Sequence, residues 1–381
     1  MSGMAPPLFA RSDASWITEW RRTLDWPILV AVFGLMGLGL LLSLAAGPVA
    51  ADRIGYANTY TFVVRQAVFT ALAAGLMVST SLLSRDWARR LAAGVLVAAI
   101  VLMAVILVAG HEAKGAQRWL RIAWLSLQPS ELVKPALIVV CGWLLAQRDL
   151  FPTGPWIGLS TGLFGLVLAL LLLQPDVGQS VLLSAAFLVV FFVSGLPRLL
   201  AATFAAGGAA LASLLYLTLP HVRFRVNSFF NPTDYDTYQI DKAHEAIQRG
   251  GLLGAGPGEG TVKTSLPDVH TDFIYSVLAE EYGLVAALAL IATYGFITVR
   301  GLLLSAPIAD PYPRAAAAGL FALFGLQAAI NIGVNVGLLP PKGMTLPFLS
   351  YGGSSFIGSA LTIGLALALI RGRGQFRSGY G

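Results

Sequence analysis

Asp272 is the residue of this sequence with the clearest potential for chemistry. It lies in the run His270-Thr271-Asp272-Phe273, directly before an apolar segment that ends near Arg300. A carboxylate at the start of a helix is stabilised by free backbone N–H groups and by the helix dipole, so a simple cap is one interpretation. The other is a functional acid, because ionisable groups at the edge of a membrane are costly and usually serve function.

Polar residues also stand at the beginning of three other apolar segments. Gln128 and Glu131 open one segment, Asp176 opens a second, and Ser350 stands at the start of the last. Lys134 follows Glu131 by three residues, so the two side chains share one face of a helix. As an ion pair they would offset each other's burial cost. The pair is therefore either structural or part of a site, and Asp176 is either a helix cap or a site residue.

Positive charges are available for an anionic ligand at these helix starts. The free N–H groups of a helix N-terminus favour phosphate. Arg118, Lys134 and Lys342 could each add a charge-assisted hydrogen bond there. The polar residues at the helix starts and these cations are expected at one membrane depth, which favours a common site for all of them.

The segment 110–124 precedes the span that Gln128 opens. It combines Trp, Leu and Ile with Arg118 and a second arginine, which suits an amphipathic segment in the outer interface of a membrane. Tryptophan is common in such interfaces as an anchor. We expect that role for Trp124, and we expect Trp119 to belong to the site.

The composition indicates a membrane protein. Of 381 residues, 56% are hydrophobic and 12% are charged, whereas soluble domains carry about 25% charged residues. The net charge of +6 is scattered over the ends of apolar segments, so it does not indicate a nucleic-acid partner. The single cysteine, Cys141, excludes an internal disulfide and a cysteine metal site.

The fold class predicted is an all-α polytopic membrane protein with about ten transmembrane helices, since each crossing needs about 20 apolar residues. The ten-helix domain covers residues 27–370, between tails at 1–26 and 371–381. The predicted spans are 27–47, 60–83, 89–110, 130–147, 157–173, 176–195, 199–219, 272–300, 314–338 and 348–370.

The distribution of basic residues predicts the orientation. With the N-terminus in the cytoplasm, arginines such as Arg21, Arg85, Arg300 and Arg371 flank the spans on the cytoplasmic side, as positive charges usually do. The lysines run against that trend and fall on the outer half, as a site for an anionic ligand outside the cell would require. They are Lys114, Lys134, Lys242, Lys263 and Lys342. We predict that both termini are cytoplasmic.

One large extracytoplasmic loop, residues 220–271, separates the seventh and eighth spans. An Asn-Pro-Thr-Asp turn is predicted at 231–234, followed by a short helix over 238–249. The Gly-rich run at 250–260 lacks the G-K-[ST] signature of a phosphate-binding loop. A flexible lid or tight backbone packing are the two interpretations of that run.

Six polar runs lie along the chain: K-G-A-Q-R-W at 114–119, Q-P-S-E-x-x-K at 128–134, Q-P-D-V-G-Q at 174–179, H-T-D-F-I at 270–274, E-E-x-G at 280–283 and S-Y-G-G-S at 350–354. In this order and spacing they resemble the SEDS family (shape, elongation, division and sporulation) of cell-wall glycan polymerases. Stretches at 227–239 and 330–348 are more similar to its division members than to its elongation members.

The resemblance implies glycosyl transfer on lipid II, the undecaprenyl-pyrophosphate-linked disaccharide peptide, during septal wall synthesis in the bacterial cytoplasmic membrane. Asp272 would be the general base, because the acceptor hydroxyl must lose a proton as it attacks. Partners would be a class B penicillin-binding transpeptidase and other division-complex membrane proteins. The substrate-binding residues would be Arg118, Trp119, Gln128, Glu131, Lys134, Asp176, His270, Thr271, Lys342 and Ser350.

A divalent cation is a further expectation, because the leaving group is a pyrophosphate. Mg²⁺ commonly bridges phosphates and carboxylates. Asp272, Glu131 and Asp176 are the candidate ligands for Mg²⁺ or Mn²⁺.

Three alternatives to a division polymerase stay open at this point. An elongation-type polymerase differs only in its cellular role. A lipid II flippase would also place polar groups inside a helical bundle, but it would need them along a path to the inner face. A scaffold of the division complex would need no reactive carboxylate.

Overall fold

The structure is a computed structural model that describes residues 16–109, 111–113, 116–122, 125–230, 238–266, 268–340 and 342–371. Helices dominate it. In chain order they are α1 (Trp16–Thr23), α2 (Trp26–Ile54), α3 (Thr61–Ser81), α4 (Arg85–Ala109), α5 (Pro129–Leu150), α6 (Trp156–Leu173), α7 (Val177–Val193), α8 (Arg198–Thr218), α9 (Pro220–Phe230), α10 (Tyr238–Gly250), α11 (Ile274–Ser305), α12 (Pro311–Asn335) and α13 (Gly353–Ile370). Three strands, β1 (His111–Ala113), β2 (Ala116–Ile122) and β3 (Leu125–Leu127), lie between α4 and α5.

The ten predicted spans correspond to ten of these helices. Eight of them, α2 to α6 and α11 to α13, are long and apolar enough to cross a membrane. The apolar stretches of the other two helices are shorter. Helix α7 has 17 residues, and the apolar part of α8 covers Ala202–Thr218. The polytopic, mainly helical fold class is confirmed, and the chain is a multi-pass membrane protein. The exact number of crossings and the cytoplasmic position of both termini remain predictions.

The segment between α4 and α5 departs from the all-α prediction. Strand β2 pairs antiparallel with β1 on one side, where Trp119 lies opposite His111, and with β3 on the other, where Arg121 lies opposite Ser126. Trp, Leu and Ile in β2 favour an extended backbone. Pairing with two neighbouring strands fixes that conformation. Lys114 and Trp124 lie outside the described residues, as does the turn predicted at 231–234.

The predicted N-terminal tail also contains structure. Helix α1 lies within it, and α2 starts at Trp26 because Asp25 caps it: the Asp25 carboxylate accepts a hydrogen bond from Ile28 N at 3.1 Å. Pro27 follows in the first turn, where a missing N–H costs nothing. Asp25 also forms a two-bond ion pair with Arg300, at 2.8 and 2.9 Å. This pair ties the start of α2 to the far end of α11, on the face opposite Asp272.

Helices α5, α12 and α13 form the centre of the bundle. In their most apolar windows, 83%, 72% and 89% of the residues are buried, against 28% to 44% in the other five long helices. Small residues permit the close packing that membrane helices depend on. A Cβ atom added at Gly358 of α13 would lie 2.6 Å from the Glu131 carbonyl oxygen of α5. The polar start of α5 is thereby held against α13.

Helix α11 is broken at Gly283, where the backbone has φ 78° and ψ −177°. The Gly-rich loop after α10 supplies main-chain partners at this break. Ala255 N donates to the Glu280 carbonyl at 2.8 Å, and Gly256 N donates to the Glu281 carbonyl at 3.0 Å. On the other side of the break, the loop accepts hydrogen bonds at its Gly251 and Leu252 carbonyls from Leu284 N and Val285 N. The loop therefore shows tight backbone packing and is not a free lid.

Two buried glutamates fix the rest of this loop. The Glu280 carboxylate accepts hydrogen bonds from Val262 N at 2.7 Å and from Lys263 N at 3.0 Å. The Lys263 ammonium pairs with Glu281 and also donates to the Gly258 carbonyl at 3.0 Å. The loop that leads to Asp272 is therefore anchored on the outer part of α11.

We expect Gly254→Ala to lower the melting temperature by several degrees more than Gly258→Ala. Both glycines have left-handed backbones, with φ of 88° and 84°, so both substitutions carry the same backbone strain. At Gly254 the new Cβ atom would also lie 2.2 Å from the Glu281 carbonyl oxygen, whereas at Gly258 it meets no atom within 4 Å. Thermal unfolding in detergent, followed by tryptophan fluorescence, measures the difference, and equal losses would contradict the tight contact.

Candidate active site

Asp272 lies two residues before α11 and is partly buried. Its N–H donates to the Asp268 carbonyl at 3.1 Å, and its own carbonyl accepts hydrogen bonds from the side-chain amides of Asn331 and Asn335, each at 3.0 Å. The carboxylate lies against the loop between α12 and α13: a Cβ atom at Gly343 would be 3.2 Å from Asp272 Oδ2. The main chain that carries this carboxylate is thus held by two side chains of α12.

The residues around Asp272 stabilise the same loop. Thr271 Oγ1 donates to the Asp268 carbonyl at 3.1 Å, and the His270 carbonyl accepts from Tyr351 N at 2.8 Å. The His270 ring packs with Phe62, at 4.8 Å between centroids. Ser350 is buried, and its hydroxyl accepts from Leu346 N at 2.7 Å. These contacts join the predicted residues His270, Thr271 and Ser350 to the loop structure beside Asp272.

Arg118, Gln128 and Asp176 form one polar cluster at the start of α7. Arg118 Nη1 is 3.7 Å from Asp176 Oδ1, and Arg118 Nε donates to the Gln174 carbonyl at 2.9 Å. Gln128 Nε2 donates to Asp176 Oδ2 at 3.4 Å, and Asp176 caps α7 by accepting from Gln179 N at 3.4 Å. Asp176 is therefore both a helix cap and a member of the cluster. Trp119, next to Arg118 in β2, is partly buried.

Glu131 and Lys134 form the ion pair that their spacing predicts, at 3.0 Å. The Lys134 ammonium also donates to Gln179 Oε1 at 2.8 Å and to Gln327 Oε1 at 3.0 Å. Gln179 Nε2 in turn donates to Glu131 Oε1 at 2.8 Å. Lys134 is 2% exposed, and its three donors all have partners inside the protein. All three donors are thus used inside the protein, and the contact of Lys134 with a phosphate stays a prediction.

An apolar cavity of about 1220 Å³ lies between α6, α7 and α8. Arg118 and Lys342 line its outer end, and the remainder is lined mainly by apolar side chains such as Phe164 and Leu200, with a few hydroxyl groups among them. Its lining on α8 extends from Leu200 to Tyr216, which is about 24 Å of helix at 1.5 Å per residue. The cavity therefore combines a cationic outer end with a long apolar wall.

Lys342 connects this cavity with Asp272. A Cβ atom at Gly178, in the first turn of α7, would lie 3.5 Å from Lys342 Cδ. The next residue, Gly343, lies beside the Asp272 carboxylate, close enough that an added Cβ atom would touch it. An anionic group bound between Arg118 and Lys342 would thus lie in the same region as Asp272.

The three candidate metal ligands do not come together. In the part of the chain that the structure describes, no three His, Cys, Asp or Glu side chains are grouped so that they could hold a metal ion. Glu131 is bonded to Lys134, and Asp176 to Arg118. Asp272, Glu131 and Asp176 therefore do not fit a metal ion that they would hold jointly.

The site contains residues that sequence reasoning missed. Gln179, Gln327, Asn331 and Asn335 all bond to predicted site residues. Three of these amides, Gln327, Asn331 and Asn335, are spaced by four residues within an otherwise apolar helix. Side chains four residues apart share a helix face, so this spacing was a usable signal of a polar stripe.

The fold and the site define a polytopic membrane protein that can place an anionic lipid headgroup beside a carboxylate. Residues 26–373 match the family model described as "Cell cycle protein", which represents FtsW, RodA and SpoVE. The chain belongs to this family. The resemblance seen in the polar runs is thereby confirmed.

The chain is similar over its length to named relatives. It is 47% identical over 375 residues to a "Probable peptidoglycan glycosyltransferase FtsW" of Caulobacter vibrioides, with 98% of this chain and 96% of the relative covered. A protein of the same name from Geobacter metallireducens is 34% identical over 367 residues, with 90% and 93% covered.

Solved structures share the fold. One, described as "Structural coordination of polymerization and crosslinking by a peptidoglycan synthase complex", has a TM-score of 0.75 at 30% identity and covers 92% of this chain and 99% of that chain. The rod shape determining protein RodA of Thermus thermophilus has a TM-score of 0.68 at 30% identity, with 92% and 98% covered.

Proposed function

We propose that this chain is a division-type peptidoglycan glycosyltransferase that polymerises lipid II, with Asp272 as its general base. The observation that carries the proposal is the cavity whose outer end is lined by Arg118 and Lys342, next to the Gly343 contact with Asp272. An apolar wall suits a polyprenyl tail, and the two cations suit its pyrophosphate. The names of the relatives support the same activity.

In the proposed reaction, a hydroxyl oxygen of the acceptor sugar attacks the anomeric carbon of the lipid-linked donor. Asp272 accepts the hydroxyl proton as the new glycosidic bond forms. The bond between the anomeric carbon and the pyrophosphate oxygen breaks, and undecaprenyl pyrophosphate leaves with the bonding electron pair. Arg118 and Lys342 stabilise the negative charge that develops on it. This single displacement inverts the anomeric centre.

Polymerase activity accounts for the cavity better than flippase activity does. A flippase would need polar residues along a path to the opposite face. The inner end of the cavity is lined mainly by apolar side chains such as Phe164 and Leu200, with no charged side chain for a pyrophosphate. Its hydroxyls, Thr161 and Thr203, already donate to carbonyls of their own helices. The polyprenyl tail, in contrast, can remain in an apolar environment while the headgroup reacts.

The proposed cellular setting follows from the same activity. A glycan polymerase needs a crosslinking enzyme, so we propose a class B penicillin-binding transpeptidase as partner, alongside other membrane proteins of the division complex. A similar solved structure concerns a complex that coordinates polymerisation and crosslinking, which supports this choice. The proposed location is the bacterial cytoplasmic membrane at the septum.

The direct test incubates the purified protein with fluorescent lipid II, with and without a class B transpeptidase, and separates the products on a gel. Glycan chains in the presence of the transpeptidase are the expected result. Lipid II that stays monomeric under both conditions, in protein that is folded and binds lipid II, would refute polymerase activity.

Arg118→Met and Lys342→Met should each weaken lipid II binding by at least tenfold. Each removes one charge-assisted contact with the pyrophosphate, worth about 1.5–3 kcal/mol, and keeps a long side chain. Binding to protein in nanodiscs, titrated with fluorescent lipid II, gives the dissociation constants. Lys242→Met is the matched control, since Lys242 is paired with Glu245 on the loop helix and does not line the cavity. Equal binding by all three variants would contradict the assigned headgroup position.

A further inference from the structure

Three buried amide side chains form a row along the outer half of α12. They are Gln327, Asn331 and Asn335, which follow one another at intervals of four residues and are 5%, 1% and 0% exposed. Residues at this spacing lie on one face of a helix. We call this row the amide ladder.

The amide ladder bonds mainly to main-chain carbonyls of two loops. Gln327 Nε2 donates to the Thr345 carbonyl at 3.1 Å. Asn331 Nδ2 donates to the Met344 carbonyl and to the Asp272 carbonyl. Asn335 repeats the bond to Asp272. One end of the ladder therefore holds the loop that carries Lys342, and the other end holds the residue proposed as the base.

The Asp272 carbonyl needs these amides because α11 does not use it. At the start of the helix, Ser276 N and Val277 N both donate to the Phe273 carbonyl, one residue further along. A buried carbonyl without a partner is costly, and Asn331 and Asn335 supply two donors. Ser276 Oγ in turn donates to Asn335 Oδ1 at 2.8 Å, which orients that amide.

The amide ladder also connects the buried ion pair to this region. Gln327 accepts a hydrogen bond from Lys134 through Oε1 and donates to the Thr345 carbonyl through Nε2. Lys134, which is paired with Glu131, fixes the orientation of the Gln327 amide because only the oxygen can accept from an ammonium. A continuous chain of hydrogen bonds thus runs from Lys134 to the loop that contacts Asp272.

We propose that Gln327, Asn331 and Asn335 are positioning residues that set the Asp272 carboxylate against the Lys342 loop, and that Lys134 acts through them without contacting the substrate. This inference rests on the proposed function. In this proposal the Glu131–Lys134 pair acts through Gln327 and helps to fix the position of Asp272 relative to Lys342.

The first test replaces Asn331 or Asn335 with Leu, which removes the amide donors at similar volume. Turnover of lipid II should fall about 10- to 100-fold, since misplacement of a catalytic group by about 1 Å costs up to about 100-fold. In the Asn335→Leu variant the dissociation constant for lipid II should change by less than about threefold on the same estimate, because Asn335 neither lines the cavity nor bonds to the loop that carries Lys342. Ser305→Ala, at the opposite end of α11, removes one buried hydrogen bond and should keep turnover within about twofold.

The second test separates positioning from substrate contact. In the double variant Glu131→Gln, Lys134→Met, lipid II binding should be retained while turnover falls as in the Asn variants. If Lys134 contacts the pyrophosphate instead, binding should fall as in Lys342→Met, and this result would overturn the proposal. The double variant removes both charges together, so neither is left buried without a partner.

A third measurement does not depend on catalysis. Asp272→Cys in a Cys141→Ala background places a single thiol at position 272, while the main-chain carbonyl that the ladder holds is kept. Adding Asn331→Leu or Asn335→Leu should change the reaction rate of this thiol with a methanethiosulfonate reagent by at least threefold. An unchanged rate would overturn positioning by the ladder. A wild-type protein that does not polymerise lipid II would instead refute the proposed function and leave this thiol result interpretable.

Discussion

Asp272→Asn is expected to abolish glycan polymerisation, with a loss of at least about 100-fold and up to about 10,000-fold, the range that general bases contribute. Asparagine has nearly the same shape but cannot accept the acceptor proton. The main-chain carbonyl of residue 272 would still accept from Asn331 and Asn335, so the loop geometry should persist. The gel assay with fluorescent lipid II measures the loss.

Two measurements make this result specific. Lipid II binding by the Asp272→Asn variant should match that of the wild type, which shows that the site is intact. Asp268→Asn is the matched control. Thr271 and Asp272 donate hydrogen bonds to the main-chain carbonyl of residue 268, and this substitution leaves that carbonyl in place. Polymerisation at the normal rate by the Asp272→Asn protein would rule out Asp272 as the base.

Lys134→Met alone should destabilise the protein by about 3–5 kcal/mol, the usual cost of leaving one partner of a buried ion pair without the other. The Glu131 side chain is 5% exposed and would lose its cationic partner, retaining the hydrogen bond from Gln179. Unfolding in mixed micelles with increasing SDS, followed by tryptophan fluorescence, gives the free energy.

Adding Glu131→Gln should restore most of this stability, because the buried negative charge is then removed as well. The recovery must appear as a positive coupling energy in the double-mutant cycle. Additive losses would show that the two side chains do not depend on each other. Recovered stability without recovered turnover is the pattern expected if the pair positions the base.

Local patterns predicted the cap of α7 and the ion pair correctly, whereas α13 begins at Gly353, five residues after the predicted start, and α11 begins two residues after Asp272, which does not cap it. Asp176 and the Glu131–Lys134 pair depend on residues within one helical turn, so spacing alone was sufficient for their geometry. The stretches identified as spans were likewise apolar over enough residues to be recognised without knowledge of their neighbours.

Tertiary partners decided the features that the sequence did not predict. Strand β2 forms by pairing with two other strands, β1 and β3. Its amphipathic composition alone is equally compatible with a segment that lies in the membrane interface, so the strand was not predicted. The amide partners of Lys134 were not predicted, because Gln179 and Gln327 approach it from helices that are far away in the chain. The roles of Asn331 and Asn335 depend on the main chain of a different loop.

The break at Gly283 has a consequence for the biogenesis of this protein. In hydrocarbon, each main-chain group without a partner costs several kcal/mol. The carbonyls of Glu280 and Glu281 and the N–H groups of Leu284 and Val285 find partners in residues 251–256. Those residues are synthesised about thirty positions earlier, so the loop has left the ribosome before the helix that needs it. The segment that satisfies the broken turn is thus available by the time α11 emerges, and the stability of this span in lipid is coupled to the packing of the loop against it.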